Sequence, residues 1–177
     1  MSVSLVLTVI GNDRPGLVNA LSQAVTEHGG NWLESRMSSL AEKFAGILLA
    51  SVPDNRADAL ISALQGLESQ GLRIVIEKSV ATGGPITGYR SFNLELVGQD
   101  HPGIVREISH ALASHKVNID ELDTHCSSAS WSGETLFHAR VRLSVPNEVI
   151  MDELRATLEG LANELMVDII LDEPSAQ

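Results

Sequence analysis

The chain repeats itself, and that repeat constrains the fold more than any other feature. Residues 11–18 read Gly-Asn-Asp-Arg-Pro-Gly-Leu-Val, and residues 98–105 read Gly-Gln-Asp-His-Pro-Gly-Ile-Val, at an offset of 87. Carried on to Asn31 and Asn118, this offset gives 9 identities in 21 positions. The apolar positions correspond as well: Leu17 with Ile104, Leu21 with Ile108, Val25 with Leu112. Two modules follow, residues 1–80 and 91–177. The Gly- and Pro-rich piece between them, 81–90, reads as a linker.

Inside each module the hydrophobic period switches in a regular order. Val3, Leu5, Leu7 and Val9 alternate, as do Phe92, Leu94 and Leu96, so both stretches read as strands. Residues 15–28 and 102–115 then place apolar side chains at i, i+4, i+7 and i+8, one stripe of an amphipathic helix. Gly29-Gly30 ends the first of these as a C-cap pair. Hairpins are expected over 31–41 with 44–52 and over 118–128 with 133–145. Between Val52-Pro53 and Val145-Pro146 the offset has grown to 93, so the second hairpin is six residues longer, around Ser127–Gly133. A second helix follows in each module, carried by Leu60, Ala63, Leu64 and Leu67 or by Ile150, Leu154, Leu158, Leu161 and Leu165. Strands at 72–77 and 166–171 close the modules. The class is α+β: two tandem ferredoxin-like βαββαβ modules, each an antiparallel four-stranded sheet with helices on one face. The other sheet face must then be covered or polar.

The repeated Gly-x-Asp-x-Pro-Gly turn lies between strand one and helix one. Proline fixes φ and lacks an N–H, so Pro15 and Pro102 suit the first helical position. Arg14 and His101 before them are pushed to extended geometry. Asp13 and Asp100 are placed to accept from first-turn amides. Gly16 and Gly103 leave room for close approach. Free amides at a helix start make a carboxylate or phosphate site. An ordinary capped turn accounts for the same residues, and duplication copies structure as faithfully as function. Asn31 and Asn118 either open strand two or offer an amide to a ligand.

At these residues the chain resembles the ACT domain family of small βαββαβ modules, over nearly its whole length and as two tandem copies. The resemblance implies a non-enzymatic, amino-acid-responsive regulatory protein with no cofactor and no catalytic domain attached. In such modules a ligand commonly lies between the strand-one/helix-one loop and a neighbouring module. Carried over, the contacts are Asn12, Asp13, Gly16, Leu17 and Asn31 in the first copy. In the second they are Gln99, Asp100, His101, Gly103, Ile104 and Asn118. The motif departs from well-known binders in having Gly11 and Gly98 where a polar contact can occur, and Asp rather than Asn in the turn. Resemblance to stand-alone tandem members favours glycine as the small amino acid, and transcriptional control of glycine cleavage through a protein partner such as an activator. A single four-stranded module buries little core, so packing on a neighbour and a homo-oligomer are expected, and the lone cysteine fits the cytoplasm. The alternatives are a constitutive protein-interaction module without ligand and a regulatory subunit of an amino-acid-metabolising enzyme.

Charge narrows the partners. With 23 acidic and 12 basic residues the formal charge is −11, and residues 90–177 hold most of the excess. Nucleic-acid binding needs a basic face, and Arg140 and Arg142 are expected merely to share a solvated strand face. RNA-recognition modules of this topology display aromatics that this chain lacks. No apolar run approaches the ~18 residues of a membrane span, and no signal peptide is expected. The single cysteine, Cys126, rules out an internal disulfide and is expected to be a buried or half-buried strand residue. His125, Cys126 and His138 make a poor metal set, since strand neighbours point to opposite faces. No Gly-x-Ser-x-Gly elbow, phosphate loop or His-Glu-x-x-His motif is present. His28 and His115 are read as helix-end residues, and Trp32 and Trp131 as packing residues first and interface anchors second.

Overall fold

The computed structural model describes residues 1–79 and 87–175. The chain divides into two compact units, Met1–Gly84 and Pro85–Gln177. Residues 81–86 of the expected linker lie outside the described residues, while Tyr89 and Arg90, at its end, are already paired in a strand.

The first unit runs β1 (Ser2–Asn12), α1 (Leu17–Glu27), β2 (Asn31–Leu40), β3 (Lys43–Pro53), α2 (Ala57–Gly66) and β4 (Leu72–Ser79). Short 3-10 turns precede and follow α2. The second unit repeats the order as β5 (Tyr89–Gln99), α3 (Ile104–Ser114), β6 (Asn118–Ser128), β7 (Thr135–Pro146), α4 (Met151–Leu165) and β8 (Val167–Asp172). Strand orders match, β2-β3-β1-β4 and β6-β7-β5-β8. Every pairing is antiparallel.

Period two decides which sheet face is covered. Leu5, Leu7 and Val9 of β1 are buried against Leu17, Leu21 and Val25 of α1 and Leu60 and Leu64 of α2. Phe92, Leu94 and Leu96 of β5 meet Ile104, Ile108, Leu112, Leu154 and Leu158 in the same way. Each fully buried Leu, Ile or Val contributes on the order of 1.5–3 kcal/mol. Ile150 was expected in the α4 stripe but precedes the helix as its exposed N-cap.

The α1 terminus forms as the glycines require. Gly29 has φ 70°, and the Gly30 N–H reaches the Val25 carbonyl at 2.8 Å, the six-to-one bond of a Schellman end. In the twin, Lys116 takes the left-handed position at φ 59°. His28 and His115 are the C-cap residues.

The uncovered faces differ between the units. In the first, Ile10, Ile47 and Val75 are exposed. In the second, Val97 and Ile170 are exposed at the places of Ile10 and Val75, but Arg140 replaces Ile47 and lies 3.8 Å from Glu95, and Arg142 lies 2.8 Å from Glu121. Cys126, expected at least half-buried, is exposed, because β6 is an edge strand. Trp131, expected to pack, is fully exposed at the tip of the longer hairpin, whereas Trp32 packs partly buried on the first core.

Candidate functional site

The two Pro-Gly turns are not the helix starts that proline alone predicts. Helix α1 begins at Leu17 and α3 at Ile104, with Gly16 (φ 94°, ψ −2°) and Gly103 (φ 97°, ψ −5°) as N-caps. Those angles belong to the third position of a type II turn, in which proline favours the second. Pro15 and Pro102 therefore precede the helices rather than open them. A Cβ on Gly16 or Gly103 would meet nothing within 4 Å, so these glycines answer a conformational need, not a steric one.

Gly11 and Gly98 are the steric ones. A Cβ on Gly11 would lie 2.7 Å from the Gly71 carbonyl oxygen, and one on Gly98 would lie 2.4 Å from a Val167 methyl. A polar side chain at these positions is excluded, because Gly71 with Leu72 at the start of β4 and Val167 of β8 occupy the space.

Asp13 and Asp100 do not cap their helices: no side chain bonds the first turn of α1 or α3. Their backbone N–H groups instead tie the turn to the tip of the hairpin, Asp13 to the Glu42 carbonyl at 2.9 Å and Asp100 to the Thr135 carbonyl at 2.8 Å. The Asp13 carboxylate accepts from the Ser39 hydroxyl. Asn12 accepts from the Lys43 ammonium.

Arg14 and His101 share a task that their different chemistry conceals in the sequence. The Arg14 guanidinium donates to the Gln70 carbonyl, after α2. His101 Nε2 lies 3.2 Å from the Leu165 carbonyl, at the end of α4, and its Nδ1 lies 3.1 Å from the Pro102 carbonyl. Whichever ring nitrogen carries the proton has an acceptor. Both residues pin the turn to the end of the second helix.

The asparagines are elsewhere. Asn31 pairs with Ser51, which also pairs with Ser4, whereas Asn12 pairs with Lys43 at the opposite end of the ladder. Four to twelve is eight residues, roughly 27 Å at ~3.4 Å per residue. Asn118, level with Ser91 through Ser144, is as far from Gln99. No single unit brings turn and asparagine together. Asn118 is moreover engaged locally: its Nδ2 donates to Asp120 at 2.7 Å, and the Ser144 hydroxyl donates to the other Asp120 oxygen at 2.6 Å. Asp120 is the extra residue of a β-bulge between Ile119 and Glu121. Its counterpart in the first unit is Leu33, so Asn31 lacks that partner.

Of the expected contacts, Asn12 and Ile104 line concavities, and they are different ones. Asn12 borders an open cavity of about 390 Å³ on the uncovered sheet face, with Lys43, Glu68 and Arg73 around it. Two cations beside a carboxylate suit a zwitterion. Lys43, Glu68 and Arg73 were not legible as a set, because only strand pairing and the turn after α2 gather them. In the second unit Asp168 pairs with Val97 next to Gly98, so its β8 brings an acid to the end of the ladder where β4 brings Arg73. Ile104 lines an apolar crevice between α3 and β6. His125 and His138 stack face to face, 4.6 Å between centroids, while Cys126 pairs with Phe137 on the other face. Among the described residues no group of three or more His, Cys, Asp or Glu is placed to hold a metal ion.

Residues 4–77 match the profile of the family described as ACT domain. Over that stretch the first unit is similar to an ACT domain. The profile covers the first unit, and the second repeats its element order, strand order and turn, so the chain is two ACT-like modules in tandem. Over 163 residues the chain is 28% identical to the glycine cleavage system transcriptional repressor of Escherichia coli (strain K12), covering 91% of this chain and 85% of that one. A crystal structure of an unknown protein from Galdieria sulphuraria superimposes with a TM-score of 0.88 at 31% identity, over 98% of this chain and 99% of that one. A second crystal structure, described as a candidate glycine cleavage system transcriptional repressor, gives 0.73 at 20% identity over 99% of both chains and speaks for the fold alone.

Proposed function

We propose that this tandem ACT protein is a non-enzymatic regulator that responds to a small amino acid and controls glycine cleavage through a protein partner. The observation that carries this reading is the similarity to the Escherichia coli repressor, which runs through both modules rather than through one shared domain. The acidic balance disfavours direct contact with DNA. Among the described residues no helix is long and apolar enough to cross a membrane, which agrees with a cytoplasmic regulator.

The ligand site on this reading is composite. The first-turn amides of α1 or α3, which no side chain caps, take the carboxylate. An asparagine from a second copy of the chain takes the ammonium, since turn and asparagine lie at opposite ends of each module. Binding then biases how copies of the chain associate, since a ligand shifts only an equilibrium whose states it binds differently. The cavity at Asn12 supports a second reading: Lys43 and Arg73 hold the carboxylate and Glu68 the ammonium, inside the first module alone.

Thermal-shift measurement of the full chain against the twenty amino acids separates these readings. A composite site loses its response in Asn31→Ala or in Asn118→Ala and keeps it in Arg73→Ala. The single-module cavity does the reverse. No response to any amino acid sinks both and leaves a constitutive interaction module.

A further inference from the structure

Histidine faces histidine across the second hairpin. His125 of β6 and His138 of β7 are direct partners in the antiparallel ladder, and their rings stack with centroids 4.6 Å apart and planes 1° from parallel. His125 is exposed and His138 half-buried. They lie on the uncovered sheet face, in one row with exposed Val97 of β5. The first module shows that the fold does not need them. At the same register Ser38 stands opposite Ala45, and Ile10 holds the place of Val97.

The surroundings of the pair suit a cation. A cavity of about 160 Å³ opens beside the stack, with Glu95, Val97, Asp123 and Arg140 also around it. Asp123 precedes His125 by two residues and so shares its face. Arg140 is the ladder partner of both Asp123 and Glu95, and its guanidinium lies 3.8 Å from the Glu95 carboxylate. Two carboxylates against one guanidinium leave the cavity with a negative balance. Ser127, two residues after His125, holds its hydroxyl 2.7 Å from His138 Nε2. With that oxygen accepting, Nε2 carries the proton and Nδ1 keeps a free lone pair. Metal-binding histidines are oriented by an outer hydrogen bond of this kind.

We propose that His125 and His138 chelate one divalent transition-metal ion, Cu(II), Ni(II) or Zn(II), on the uncovered face of the second module. These ions take neutral imidazole, and affinity follows the order Ni(II) < Cu(II) > Zn(II). Metal–nitrogen bonds of about 2.0–2.1 Å set two ligand nitrogens about 3.3 Å apart at the tetrahedral angle. The rings start parallel, so each turns about its last torsion, which has a broad energy well, to aim its lone pair at the ion. Cys126 points to the other face and takes no part. Among the described residues no third His, Cys, Asp or Glu completes a preformed set, so water fills the remaining positions.

Calorimetric titration of the metal-free full chain with CuCl2, NiCl2 and ZnCl2 tests this. The expected result is one tight ion per chain, with Cu(II) bound most tightly. His125→Ala, at an exposed position, should weaken Cu(II) at least tenfold, as should His138→Ala, while the control His110→Ala leaves the affinity unchanged. Each metal should raise the thermal midpoint of the wild-type chain and not that of His125→Ala. Substoichiometric Cu(II) should broaden the ring proton signals of His125 and His138 in the nuclear magnetic resonance spectrum before those of His28, His101, His110 and His115. This last readout needs no variant, so it decides the matter even if His138→Ala unfolds the hairpin. A wild-type chain that binds no ion overturns the proposal, as does a His125→Ala chain of unchanged affinity. Broadening that starts at another histidine or at the Met1 amine overturns it too, by placing the ion elsewhere.

Discussion

Gly98 faces Val167 across the β5–β8 ladder so closely that an added Cβ would lie 2.4 Å from a valine methyl and 2.9 Å from the valine Cα. The first residue of the repeated turn motif is therefore set by strand packing. Gly98→Ala should cost about 1–3 kcal/mol through a forced shift of β8. Chemical denaturation of the variant checks this, and a cost below a few tenths of a kcal/mol would show that β8 can move freely.

Gly16 and Gly103 make the opposite case. Each has open space around it but a φ near 95°. Gly16→Ala and Gly103→Ala should each lose roughly 1–2 kcal/mol from backbone strain alone. Asn at the same positions, which tolerates the left-handed region, should recover part of the loss. Equal stability of the Ala and Asn variants would contradict a conformational origin.

Asp100 looks like a helix cap in the sequence and is not one. Its backbone, not its carboxylate, ties the turn to Thr135. Asp100→Ala should change stability by less than ~0.5 kcal/mol, the range of an ordinary surface substitution. A loss near 1 kcal/mol, typical of a removed cap, would restore the capping role.

Arg14 and His101 reach the end of the second helix of their modules. His101→Ala should cost about 0.5–1.5 kcal/mol, the net value of a lost hydrogen bond. His101→Arg, which copies the first module, should retain most of that stability. If Ala and Arg are equally tolerated, the tether to Leu165 contributes nothing.

Ligand binding has its own signature. A small amino acid bound only by the folded chain, at 100 times its Kd, should raise stability by about 2.7 kcal/mol. The thermal midpoint should then climb with the logarithm of ligand concentration. A midpoint flat in glycine and in every other amino acid would remove the sensing role.

Much of this protein could be read before any coordinates. Alternation in Leu5, Leu7 and Val9, helical spacing in Leu17, Leu21 and Val25, and a motif repeated at 87 residues leave one economical arrangement, because period and order depend only on local chain geometry. The type II turn was within reach too, since Pro-Gly is its ordinary signature, but proline at a helix start competed for the same residues. The remainder needed the strands laid side by side. Pairing carried Asn31 and Asn118 to the far ends of their modules, pressed Val167 onto Gly98, and gathered Lys43 and Arg73 around Asn12. Distances between residues far apart in the chain arise from ladder register and side-chain volume, and neither is a local property. For the same reason Trp131, read as a packing residue, stands in solvent at the tip of its hairpin.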